Sequence, residues 1–212
     1  MYKLYGSRGS GSAAVEMALR ACAIQYQTVR ASSWEADSAL AELGRINPLR
    51  QIPTLLLPDG TVMTESAAIL MHLALAVPHG GLLPEAPSAR AVAIRGLVYI
   101  AANCYAAISI CDYPERWTTA QSKSSHEQVR QGARAQLYRS WEIFADSFAA
   151  QPFYTGDAPG ALDFLAVVVS RWSGAREHLA AQRPRFLEQL QGIEAHPRVQ
   201  PVVREHWPGE GT

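Results

Sequence analysis

Neither sign of charge is in excess in this chain: Lys and Arg number 19 and so do Asp and Glu, for a net charge of +0. Sequence-independent binding to nucleic acid or to an anionic membrane runs on a surplus of Lys and Arg, so neither partner is expected. Cysteine is scarce. Cys22, Cys104 and Cys111 are the whole set and form no CxxC pair. An odd, sparse set does not make a disulfide framework and fits a reducing compartment. The histidines (His72, His79, His126, His178, His196 and His206) are scattered without metal-ligand spacing, so no metal is expected. Apolar runs of membrane-spanning length are lacking. So are the basic start and apolar stretch of a signal peptide. Repeats and low-complexity tracts are missing too. The expectation is a cytoplasmic protein.

What is present is core-forming material. Hydrophobic residues make up 48% of 212, enough for one large or two small domains and too many for a disordered chain. Residues 2–5 read as a short strand stopped by Gly6, and 7–12 as a small, polar turn. Val15, Ala18, Leu19 and Cys22 recur at helical spacing, which predicts a helix over 12–23. A strand at 26–29 and a helix at 36–43, stopped by Gly44, come next. Residues 54–57 and 61–63 flank Pro58-Asp59-Gly60 and read as a hairpin. A helix over 67–76 closes the β-α-β-α-β-β-α order. The helix between the first two strands implies a parallel crossover and the hairpin an antiparallel pair, so the sheet is mixed. Residues 77–88 carry three prolines and two glycines and read as a linker. Beyond it strand signals vanish. Helices are predicted at 89–110, 125–148, 161–172, 184–192 and 197–205, the third apolar nearly all round.

The first turn, Gly6-Ser7-Arg8-Gly9-Ser10-Gly11-Ser12, precedes a helix N-terminus, where unpaired N–H groups and a partial positive charge suit an anion or a thiolate. Ser10 or Ser12 can supply a hydroxyl donor there, or simply cap the helix. Pro53 opens a strand after Ile52, and Ser66 stands where a helix cap or a carboxylate ligand would sit.

Together these segments resemble the glutathione S-transferase family, in particular its bacterial serine-type, theta-, phi- and beta-like members. The carrying residues are Leu4-Tyr5-Gly6 with Ser10, Asn47-Pro48-Leu49-Arg50-Gln51-Ile52-Pro53, and Glu65-Ser66-Ala67-Ala68-Ile69, in the family's order and spacing. The resemblance implies a thioredoxin-like domain over 1–77, a linker over 78–88, an all-helical domain over 89–212 and a homodimer. It implies conjugation of the glutathione thiolate to a small hydrophobic electrophile, with glutathione as cosubstrate. Ser10 would donate to the sulfur, with Ser12 as second choice. Ile52 would pair with the cysteinyl backbone beside a cis-Pro53, Glu65 and Ser66 would hold the γ-glutamyl end, and Gln51 would lie close by. The helical half would wall the electrophile pocket, with Tyr105, Tyr113 and, from the turn, Arg8 as candidates.

The departures from the family pattern keep alternatives open. Arg50 stands where the family usually has glycine. No basic residue in 35–40 is available for the glycyl carboxylate, so Arg50 is the candidate for that role. Gly160 replaces the usual Ser or Thr three residues before Asp163, which can still reach back to the helix start. A binding protein that has lost the chemistry is one alternative. A glutathione-dependent dehalogenase, isomerase or peroxidase is another, although the turn lacks the Ser-Cys pair associated with the isomerases.

Overall fold

The computed structural model describes residues 1–148 and 152–209. Four strands form one mixed sheet in the order β2-β1-β3-β4. β1 (Tyr2–Gly6) runs parallel to β2 (Tyr26–Arg30), with Tyr2 opposite Tyr26. β3 (Thr54–Leu56) is antiparallel to β1, Leu55 facing Leu4, and to β4 (Val62–Met63). The parallel pair is joined by α1 (Ser12–Ala21), and the mixed sheet is the one the element order predicts. With α2 (Leu40–Ile46) and α3 (Ser66–Ala76), this is a thioredoxin-like N-terminal half.

α2 starts later than its periodicity predicts and runs through Gly44. The residues before it are held by other bonds. Ser32 Oγ donates to Glu35 (2.6 Å), Ser38 Oγ to the Ser32 carbonyl (2.6 Å) and the Ala39 N–H to the Arg30 carbonyl (2.7 Å). Such side-chain and turn bonds compete with a helix for the same backbone. The helix stops before Asn47-Pro48, where proline forbids the preceding residue a helical conformation. At α3 the cap position falls to Glu65, not Ser66, and Glu65 takes φ 63°.

After a 3₁₀ turn at Pro78–Gly80, the rest is helical among the described residues. α4 (Pro87–Tyr99) passes through a π-helical stretch, Ile100–Tyr105, into α5 (Ala106–Asp112). A 3₁₀ turn at Pro114–Trp117 precedes α6 (Lys123–Ser147), with α7 (Ala161–Val169), α8 (Ala175–Gln182), α9 (Pro184–Ala195) and α10 (Gln200–His206) following. The joined helix Pro87–Asp112 is long and apolar enough to cross a membrane, which corrects the expectation that no stretch is. Arg90 and Arg95 interrupt it in the sequence, whereas Ala93, Leu97, Ile100, Cys104 and Ile108 along it are buried in the core.

α7 ends three residues before the predicted stop because Ser170 Oγ turns back onto the Val167 carbonyl (3.1 Å). α8 escapes the periodicity reading because it buries only Ala175 and Leu179. All nine residues of α7 are buried, as expected of a central helix. α1 is enclosed in the same way, its residues 12–19 buried between the sheet and α3, α7 and α10. A fully buried Val or Leu contributes about 1.5–3 kcal/mol, so these two helices dominate the core.

The start of α7 answers the missing cap. Asp163 accepts from the Gly160 N–H (2.9 Å), the Tyr154 N–H (3.1 Å) and Thr155 Oγ1 (3.2 Å). The Thr155 hydroxyl fills the space a side chain on Gly160 would need. The Thr155 hydroxyl, five residues upstream, therefore stands beside the Gly160 cap position.

Candidate functional site

The first turn packs its serines inward. Ser10 is 5% exposed and Ser12 is 0%. Ser10 Oγ donates to the Ser7 carbonyl (2.7 Å) and accepts from the backbone N–H of Ser12 (3.2 Å) and of Ser7 (3.4 Å). Since Ser12 is the first residue of α1 and Gly11 its cap residue, Ser10 accepts from the first N–H of the helix and stands at its positive end. Ser12 is sealed behind Gly6, where an added Cβ would come within 2.5 Å of the Ser12 Cβ.

The turn is pinned from below. Ser7 Oγ donates to Glu35 (2.6 Å), which also accepts from Ser32 Oγ (2.6 Å) and Arg30 (2.8 Å). The Ser32 and Ser7 hydroxyls and Arg30 together hold the Glu35 carboxyl down at about 2, so it is ionised at neutral pH. The sequence marks this stretch only by its lack of a base, and the acid in it carries no motif.

Three further elements reach the turn. The Ile52-Pro53 bond is cis, with Pro53 buried and Ile52 half-buried. A Cβ built on Gly11 would lie 2.5 Å from Tyr105 Oη and 3.3 Å from Pro53 Cδ, so the start of α1, the Pro53 loop and the π-helical stretch meet at one point. Burial, then the charges of Asp112 and Glu65, push the Tyr105 hydroxyl up to about 12, which keeps it a proton donor. Trp172 packs edge-on to Tyr105, 5.5 Å between ring centres. Glu65 is exposed and Ser66 largely buried at the start of α3, an end that no side chain caps.

The remaining predicted residues lie further out. Gln51 is exposed. Arg50, also exposed, takes φ 52° and lays its guanidinium over Gly44, whose added Cβ would meet Arg50 Nε at 3.0 Å. Arg8 is exposed on the rim, where its charge acts on Glu205. Tyr113 packs beneath the Arg116 guanidinium at 3.9 Å. Two tryptophans without a sequence motif also border the site. One is Trp172. The other is Trp207, whose indole nitrogen would be 3.7 Å from a Cβ on Gly9 and whose ring carries the Arg171 guanidinium at 4.4 Å.

Known proteins resemble this chain in sequence and in fold. A family model described as the glutathione S-transferase N-terminal domain matches residues 12–76. The uncharacterized GST-like protein YncG of Escherichia coli K12 is 30% identical over 209 residues, covering 97% of this chain and 98% of that one. The chain belongs to the glutathione S-transferase family. Glutathione S-transferase GstA of Escherichia coli O157:H7 is 30% identical over 151 residues, 68% of this chain and 71% of that one. A glutathione transferase homolog from Sulfitobacter, crystallised with bound glutathione, superposes with a TM-score of 0.84 at 27% identity over 97% of this chain and 98% of that one.

Family membership gives the left-handed backbone at Arg50 a reason. Glycine, usual there in the family, enters that region freely, whereas a side chain costs roughly 1 kcal/mol or more.

Proposed function

We propose that the protein is a working glutathione transferase. Glutathione lies along the Ile52-Pro53 edge, with its γ-glutamyl end at Glu65 and the start of α3, Gln51 beside it and its thiol at Ser10. Arg50 swings off Gly44 to meet the glycyl carboxylate. A free thiol with pKa ~8.5 is only about 3% ionised at pH 7. The end of α1 and the Ser10 hydroxyl favour the thiolate, and a shift of ~2 units takes about 2.7 kcal/mol of that preference. The thiol proton passes to solvent. The sulfur lone pair forms the new S–C bond, and the leaving group departs with the electrons of its own bond to that carbon. Tyr105, Trp172 and Trp207 wall the electrophile side, with Tyr113 and Arg8 at its margin. The same reading includes a division at residues 78–88 between a glutathione-binding half and a helical half, a homodimer, and a cytoplasmic location.

The observation that carries the proposal is the convergence of Ser10, Pro53 and Tyr105 at the N-terminus of α1. Titration with glutathione and conjugation to a halonitroarene test it. Wild type is expected to bind at or below millimolar glutathione and to turn over, and Ser10→Ala to lose most turnover while still binding. No binding at millimolar glutathione refutes the reading. One observation favours a second reading: the Ser10 hydroxyl donates inward, to Ser7, at 2.7 Å. A protein that binds glutathione but leaves the thiol un-ionised would show saturable binding with no conjugation.

A further inference from the structure

The inward bond of Ser10 raises the question of how its hydroxyl reaches a sulfur. A serine has one proton and two lone pairs. The lone pairs of Ser10 Oγ face the N–H groups of Ser12 (3.2 Å) and Ser7 (3.4 Å), and its proton faces the Ser7 carbonyl (2.7 Å). That carbonyl also accepts the Ser10 N–H (3.3 Å). Donation to a ligand therefore takes the shortest contact away from the Ser7 carbonyl and leaves it the longer Ser10 N–H bond, a weakening that a second hydroxyl donor would offset. One is in place. Ser12 Oγ lies 3.2 Å from the Ser7 carbonyl and 3.0 Å from Ser10 Oγ. Being fully buried behind Gly6, it has no ligand to turn toward. Glu35 anchors Ser7 through its hydroxyl (2.6 Å), so the carbonyl stays put when its donors change.

We propose that Ser12 is a positioning residue for thiolate formation. Its hydroxyl takes over the Ser7 carbonyl when the Ser10 hydroxyl swings out to the sulfur. The inference rests on glutathione being the ligand. It separates the roles of the two serines: Ser10 touches sulfur and Ser12 acts only through Ser10.

The test measures the pKa of bound glutathione by thiolate absorbance and by the pH profile of kcat/KM, beside the affinity for S-methylglutathione, which has no ionisable thiol. Ser12→Ala is expected to raise the thiol pKa by about half to one unit and lower kcat/KM about three- to tenfold at neutral pH. Affinity for S-methylglutathione should not change. In a Ser10→Ala background the second substitution should produce no further shift, because there is no donor left to relay. An unmoved pKa overturns the proposal, as does an equal loss of affinity for both ligands or the same shift in both backgrounds. If Ser12→Ala does not fold, Ser12→Cys carries the test: a weaker donor in the same place gives a smaller rise if the relay operates and none if it does not. Wild type that binds neither ligand refutes the glutathione reading itself, and the relay with it.

Discussion

Asp163→Ala removes an acceptor that three donors share at the buried start of α7. The Gly160 N–H (2.9 Å) and the Tyr154 N–H (3.1 Å) have no freedom to find another partner, whereas the Thr155 hydroxyl (3.2 Å) can rotate. A buried donor left unpaired costs about 1–3 kcal/mol, so the two backbone groups together predict a loss of about 2–6 kcal/mol. For a chain of this size that lowers Tm by about 4–24 °C, measured by circular dichroism or calorimetry at pH 7. Asp163→Asn adds a test of sign. Burial outweighs the three donors and lifts the Asp163 carboxyl from 3.8 to about 6. Between pH 4 and 6 the folded chain then keeps a proton that the unfolded chain has released. The aspartate's contribution is therefore greatest below about pH 4 and falls as pH rises to about 6, by up to about 3 kcal/mol. Wild type should lose ground against Asp163→Asn across that window. A Tm drop of less than about 2 °C for Asp163→Ala, or an advantage over Asp163→Asn that grows from pH 4 to 6, refutes the reasoning.

Other perturbations separate the site from its supports. Gly11→Ala puts a methyl 2.5 Å from Tyr105 Oη, and glutathione affinity should fall more than about tenfold by calorimetric titration. Adding Tyr105→Phe removes the nearest clashing atom, so affinity should partly return. No recovery would mean the turn itself, not the hydroxyl, is disturbed. Glu35→Gln weakens the anchor of Ser7. Because the Glu35 carboxyl sits at about 2, its stabilising contribution is complete above its ordinary value of 4.5 and lost as pH falls toward 2. Denaturant unfolding should therefore show the gap between wild type and Glu35→Gln closing in that interval. Glu205→Ala breaks an exposed ion pair with Arg20 and should cost less than about 1 kcal/mol. His206→Ala strips a buried hydrogen-bond partner (3.0 Å) from Glu16, which keeps Tyr26 Oη (3.3 Å) and Arg20 (3.8 Å), and should cost about 1–3 kcal/mol by the same measurement.

Much of the N-terminal half is legible in the sequence because each of its elements carries a local mark. Gly6 stops β1, Pro58-Asp59-Gly60 turns the hairpin, and the period of Val15, Ala18, Leu19 and Cys22 marks a buried helix face. α2 is misplaced because its upstream boundary is set by hydroxyls converging on Glu35, which apolar periodicity does not record. The π-helical stretch leaves no mark either. A π turn is a one-residue adjustment inside a helix, settled by packing, and here it ends on the tyrosine that meets the Ser10 turn. Ser10 is found from its place before a helix. Its partners Ser12 and Glu35 acquire roles only from distances. Trp172 and Trp207 reach the site through the packing of α7 and α10, and single aromatics on such segments look like ordinary core residues.

The enclosure of α1 bears on the order in which the chain acquires structure. Its sheet-facing side can pack as soon as the first strands exist, but its other side waits for α7 and α10. The bonds that complete it, His206 to Glu16 and Arg20 to Glu205, span 190 and 185 residues. On a ribosome the helix that presents Ser10 thus emerges before the helices that seal it. Contacts this distant in sequence are slow to form, and a transiently uncovered apolar face is what chaperones recognise.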